Sequence, residues 1–142
     1  MGREPCYTGR VMPTYFTLDE ATALLPTIGP ILERIISLRA RLERTERDMV
    51  SQHWKARTNG HADHSSSFGE GQSARDDLLA EINAELVKIH DLGVELKDPA
   101  LGLIDFPSLR DGRQVYLCWR LGETEIGYWH DTDTGFAGRQ PL

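Results

Sequence analysis

The chain changes its hydrophobic period once, near Gly93, and that change limits what it can fold into. From Thr27 onward Ile28, Ile31, Ile35, Leu38, Leu42 and Met49 recur at steps of three and four, with Leu32 and Ile36 widening the stripe. Such steps put side chains on one face of an α-helix. The interleaved Glu33, Arg34, Arg39, Arg41, Glu43, Arg44, Glu46 and Arg47 supply its wetted face. The spacing predicts a long amphipathic helix to about residue 54. A second stripe, Leu78, Leu79, Ile82, Leu86 and Ile89, predicts another helix, with Gly93 as its C-cap. Beyond Gly93 the pattern turns β-like: Val94–Asp98 alternates, 102–107 is a short apolar run, and 113–120 and 125–131 read as two more strands. The expected fold is α+β. A long antiparallel helix hairpin packs on a small, mainly antiparallel β-sheet of three to four strands.

The boundaries follow from punctuation. Residues 1–15 hold Gly2, Pro5, Gly9 and Pro13 without periodicity and read as a flexible N-terminal arm. Thr17-Leu-Asp-Glu20 matches a capping box, and Phe16 stands where a staple residue belongs. A short helix Leu18–Leu25 should follow, broken or restarted at Pro26, with Pro30 in the first turn of the long helix. The Gly/Ser-rich stretch 57–73 reads as a mobile loop inside a single domain spanning 16–142. A chain of 142 residues can bury a core without staples.

Charge and composition exclude several roles. The net charge of −6, with no Lys/Arg-rich run, argues against nucleic acid. No apolar run approaches the roughly 18 residues that span a bilayer, and no apolar segment follows Arg3 as a secretory signal would require. Cys6 and Cys118 make no disulfide framework and suit a reducing cytoplasm. Cys118 reads as a small buried apolar residue.

The chemistry concentrates in the last thirty residues or so, Val115–Leu142. Taking Leu121-Gly-Glu-Thr124 as a hairpin loop pairs Val115 with His130, Leu117 with Tyr128 and Trp119 with Ile126 on one face. The other face then holds Tyr116 with Trp129, Cys118 with Gly127 and Arg120 with Glu125. The first face is the more apolar and should meet the helices, leaving His130 at the rim of the core. There His130 is either a metal ligand or general base with Asp105, Asp131 and Asp133 as oxygen partners, or a hydrogen-bonded rim residue beside a turn. Arg120 is either a cross-strand partner of Glu125 or a fork for a carboxylate or phosphate. In this register Trp119 and Trp129 lie on opposite faces, and Tyr116 with Trp129 suggests a dimer surface. Gly135-Phe-Ala-Gly138-Arg139 should let Phe136 tuck into the core. His53, His61 and His64 offer a lesser metal site at the loop, and nothing resembles a nucleophile triad.

Phe16-Thr-Leu-Asp-Glu-Ala21, Leu24-Leu-Pro26, Gly93–Asp98, Gly102–Pro107, Val115–Arg120, Trp129-His130 and Gly135–Arg139 together resemble an uncharacterised bacterial family, domain of unknown function 2203. The likeness spans about residues 15–142 and implies no activity. The family's pattern usually has Glu after Trp-His, where this chain has the shorter Asp131. Its counterpart of the 57–73 stretch is typically shorter.

The expected function is a small-molecule or divalent-metal-binding protein, enzymatic or not, with its site between the helix hairpin and the C-terminal β-hairpin. His130 would serve as catalytic base or metal ligand, and Asp105 and Asp131 as metal carboxylates. Arg120 and Arg139 would clamp an anion, beside Trp119 and Tyr128. The cofactor would be a divalent transition metal. Long apolar stripes over so small a sheet leave surface to cover, which points to a homodimer. The alternative is a non-catalytic dimeric interaction module.

Overall fold

The capping box forms as its sequence requires. The Thr17 N–H donates to Glu20 Oε1 (2.9 Å), and the Glu20 N–H donates back to Thr17 Oγ1 (3.1 Å). From this start the computed structural model, which describes residues 14–59 and 65–142, carries α1 unbroken over Leu18–Asn59. Pro26 and Pro30 lie inside it, so the expected break at Pro26 does not occur. The two prolines are four residues apart and both exposed. The carbonyls they leave unbonded, Thr22 and Pro26, therefore face water on one side, and the helix continues.

α2 spans Ser65–Asp91, so most of the expected 57–73 loop is helical. Gly71 explains part of this. A Cβ there would lie 2.9 Å from Met49 Cγ, so the glycine allows close helix approach, and Arg75 Nε meets Glu46 Oε1 at 3.1 Å nearby. His61, His64 and the greater part of the N-terminal arm lie outside the described residues. α2 closes in a Schellman motif: Val94 N–H donates to Ile89 O, Gly93 N–H donates to His90 O, and Gly93 sits at φ 84°.

The sheet has five antiparallel strands in sequential order, one more than the expected upper number. They are β1 (Glu95–Asp98), β2 (Leu103–Arg110), β3 (Arg113–Arg120), β4 (Tyr128–Asp131) and β5 (Gln140–Pro141). Asp111-Gly112, at φ 54° and 76°, makes the tight β2–β3 turn. Pro107 is tolerated in β2 because β1 pairs only as far as Asp105. Its carbonyl instead accepts the Phe16 N–H at 2.7 Å.

One face of the sheet packs on the helices. Ile104, Phe106, Val115, Leu117, Trp119 and Trp129 form a single cluster with Ala21, Ile28, Leu32, Ile35 and Ile89. Leu38, Leu78 and Ile82 continue a smaller core between the helices. By length and composition Leu18–Lys55 contains a stretch apolar enough to cross a bilayer, which the absence of an unbroken apolar run had not suggested. In the fold its Ala21, Ile28, Leu32 and Ile35 are core residues shared with the sheet.

The C-terminal register differs from expectation by one residue. The β3–β4 connection runs from Leu121 to Gly127, longer than the expected four-residue turn, because Ile126 leaves the ladder and enters the core. Tyr116 therefore pairs with His130, Leu117 with Trp129 and Cys118 with Tyr128. A one-residue slip moves every side chain of β4 to the other face. Trp129 joins Trp119 inside, so it is no dimer surface, while His130 and Tyr128 turn outward. Arg120 and Glu125 form no ion pair among the described residues; the Arg120 N–H donates to Glu123 Oε1 (2.7 Å) instead. Phe136 stays outside the core, 42% exposed.

Candidate metal centre

On the sheet face away from the helices, three strands bring three chemically distinct side chains together. The β2–β3 register sets Asp105 directly opposite Cys118, and the β3–β4 register brings His130 in beside that pair. Possible ligand atoms of Asp105, Cys118 and His130 all lie within 4.8 Å of one another. The His130 and Asp105 side chains are 3% and 2% exposed, and Cys118 is fully buried. This burial occurs without a covering helix layer. The Tyr116 ring lies 5.4 Å from the imidazole, and on the Cys118 side Tyr128 stands across the ladder with the Arg139 guanidinium 4.1 Å over its ring.

The hydrogen bonds restrict the proton positions. Asp131 O can only accept, so His130 Nδ1–H donates to it at 2.7 Å. His130 Nε2 then faces Asp105 Oδ2 at 2.9 Å, and one proton lies between them. Asp105 Oδ1 is buried and has no hydrogen-bond partner. Burial pushes the Asp105 carboxyl above its ordinary value, and the His130 bond and the neighbouring Cys118 thiol only partly oppose this. The Cys118 thiol is pushed up to about 12, by burial first and then by the Asp105 charge. Without a metal it is a protonated, unreactive thiol rather than a nucleophile.

These features suit a transition-metal ion. Imidazole nitrogen, thiolate sulfur and carboxylate oxygen are the donors of zinc-class sites, whereas magnesium and calcium take oxygen. A ligating histidine commonly gives its second ring N–H to a carbonyl, which is what Nδ1 does here. Donors around a tetrahedral ion stand roughly 3.3–3.6 Å apart, so the wider separations, up to 4.8 Å, would contract while the 2.9 Å between His130 Nε2 and Asp105 Oδ2 opens slightly.

The other expected site residues are placed elsewhere. The Asp131 carboxylate meets Arg113 Nη2 at 3.1 Å on the surface, and only its backbone carbonyl serves His130. Arg120 is exposed, two residues beyond Cys118 on the same face of β3. Trp119 lies on the helix side, its Nε1–H donating to Glu123 O (3.1 Å). Arg139 is held by Glu123, Nη2 donating to both carboxylate oxygens at 2.8 and 3.0 Å. Its guanidinium stacks 4.1 Å from the Tyr128 ring and 4.7 Å from Phe136. The anion expected at Arg139 is therefore the chain's own Glu123. His130 has both ring nitrogens engaged in a closed site, which does not suit a general base acting on an outside substrate.

A family model described as "Uncharacterized conserved protein (DUF2203)" matches residues 14–142. The chain belongs to this family. No curated protein and no solved structure matches it. The DUF2203 span includes all three residues of the cluster and the C-terminal segment beyond them. Cys118 is the functional candidate that sequence reasoning missed. The signal was present in Asp111-Gly112: a tight turn there pairs residues outward from Arg110 and Arg113, which sets Asp105 against Cys118.

Proposed function

We propose that this DUF2203 chain binds one divalent transition-metal ion of the zinc class through His130 Nε2, Cys118 Sγ and the Asp105 carboxylate. The observation that carries the reading is the buried, unpartnered Asp105 Oδ1 beside a buried thiol and an imidazole already oriented by a backbone carbonyl. A carboxylate oxygen without a partner in such a place is costly, and a cation is the partner that also gives the thiol a role. Three protein ligands leave one coordination position for water or a small ligand. The free, buried Cys118 suits a reducing cytoplasm, which we propose as the compartment.

The test is metal content after purification and after reconstitution with Zn(II), alongside Cys118→Ser, Asp105→Asn and His130→Ala. The wild type should hold one ion per chain. Each variant should lose affinity by more than the roughly 10–100-fold that removal of a ligand's hydrogen-bond partner costs. A wild type that stays far below one ion after reconstitution, or variants that bind as well as it does, would sink the reading.

We also propose that the helix hairpin makes a homodimer. Val50 and Trp54 on α1 are 58% and 60% exposed at i,i+4, and Leu79 and Val87 share one side of α2 at 39% and 46%. Light scattering should give twice the chain mass, and a Val50→Glu/Leu79→Glu variant should give a monomer. A monomeric wild type rules this out.

A further inference from the structure

We propose that the C-terminal strap, residues 132–142, is the route by which metal enters and leaves the buried centre, with the Arg139–Glu123 pair as its latch. This inference rests on the metal reading above. Tyr128 is the cross-strand partner of Cys118 on the outer face, and Arg139 lies over Tyr128. Glu123 is itself anchored by accepting the Arg120 N–H at 2.7 Å, so the pair joins the strap to the body of the sheet.

The strap is otherwise weakly held. β5 has only Gln140 and Pro141, paired with Trp129 and Tyr128. The 3₁₀ turn Phe136–Gly138 contributes no buried residue. Segments with so little burial open at lower free energy than the core they cover. The closed latch also leaves Arg139 Nε buried without a partner. An unsatisfied donor lowers the cost of opening, because water can then reach it. The remaining approaches are firmer. The helices seal the inner face, and the β1 side is closed by Tyr116, in a strand paired on both edges and capped by Lys97, 5.4 Å from its ring.

The latch should set the rate of metal exchange while leaving the ligands unchanged. Co(II) is the probe, since a Cys118–Co(II) bond gives a thiolate charge-transfer band that reports the donor set. The Co(II)-loaded chain is mixed with excess EDTA and the loss of that band is followed for wild type, Glu123→Gln, Arg139→Gln and Arg139→Lys. A doubly bonded, charge-assisted pair should be worth about 10–100-fold in release rate. All three variants should release Co(II) faster by that factor with the starting spectrum unaltered. Arg139→Lys should follow the others, because an ammonium cannot stack on Tyr128 and Phe136 as the planar guanidinium does. Release at the wild-type rate with an unaltered spectrum overturns the latch and leaves the metal centre standing. Faster release with an altered starting spectrum also overturns it, since the pair then shapes the donor set. A wild type that shows no thiolate band with Co(II) overturns the metal reading and the latch together.

Discussion

The two faces of the sheet are built on opposite terms. The inner face is apolar and dry: Ile104, Phe106, Val115, Leu117, Trp119 and Trp129 press against two long helices. The outer face buries Asp105, Cys118 and His130 as completely, although both long helices pack on the other side of the sheet. Hydrophobic burial explains the first face without further assumptions. It cannot explain the second, where a carboxyl and an imidazole are taken from water and one carboxylate oxygen is left without a partner. One face holds the fold together, and the other uses part of that stability to keep three polar groups out of water.

The comparison can be broken first from the inside. Phe106 is fully buried and meets Phe16 edge-on at 5.4 Å. Phe106→Ala should lower unfolding free energy by about 3–5 kcal/mol, measured by urea titration, whether or not metal is present. A loss below 1 kcal/mol would show that this face is not the main source of stability. Removing the metal probes the outside. With free metal at about 100–1,000 times its dissociation constant, loading should add about 2.7–4.1 kcal/mol, and EDTA should remove it. The same EDTA treatment should leave Cys118→Ser unchanged; an equal effect on that variant would place the metal elsewhere.

How far each face was legible in the sequence follows from the kind of signal each one carries. The helices and the inner strands announce themselves by period, since Ile28, Leu32 and Ile35 must recur wherever a helix meets a core. The outer cluster depends on register, and register depends on loop lengths that period does not reveal. Treating Leu121–Thr124 as a complete hairpin loop puts His130 on the helix-facing side at the rim of the core, whereas the entry of Ile126 into the core shifts β4 by one residue. His130 and Asp105 were still found as partners, because their residue types suggest the chemistry wherever they point. Cys118 was not, because a cysteine in an apolar strand looks like core until the residue across from it is known.

Alkaline titration sharpens the contrast on the outer face. In the metal-free chain the Cys118 thiol is pushed up to about 12, while an unfolded thiol ionises near ~8.5. Its protonated form therefore contributes in full below ~8.5, and that contribution is lost progressively as pH rises from there towards about 12. Wild type should lose about 1–2 kcal/mol more than Cys118→Ala between pH 8 and 10.5, allowing for screening. Parallel pH profiles of the two would show that the thiol is less buried than its position implies.

The smallest expected effect separates a metal centre from a structural ion pair. The Asp105 carboxyl is raised by burial, so the metal-free fold is penalised as pH rises above the ordinary carboxylate value of ~3.9, until the raised value is passed. Asparagine removes that penalty and keeps the geometry. Its amide can donate to His130 Nε2 while Nδ1–H still donates to Asp131 O. Metal-free Asp105→Asn should then be more stable than metal-free wild type by about 1 kcal/mol at pH 7, with the difference vanishing below about pH 4. In the presence of Zn(II) the order should reverse, because only the carboxylate can join the thiolate and imidazole on the ion. A metal-free Asp105→Asn clearly weaker than wild type at pH 7 would mean that the Asp105–His130 pair itself holds the outer face together. The cluster would then belong with the inner face, as one more element of structure.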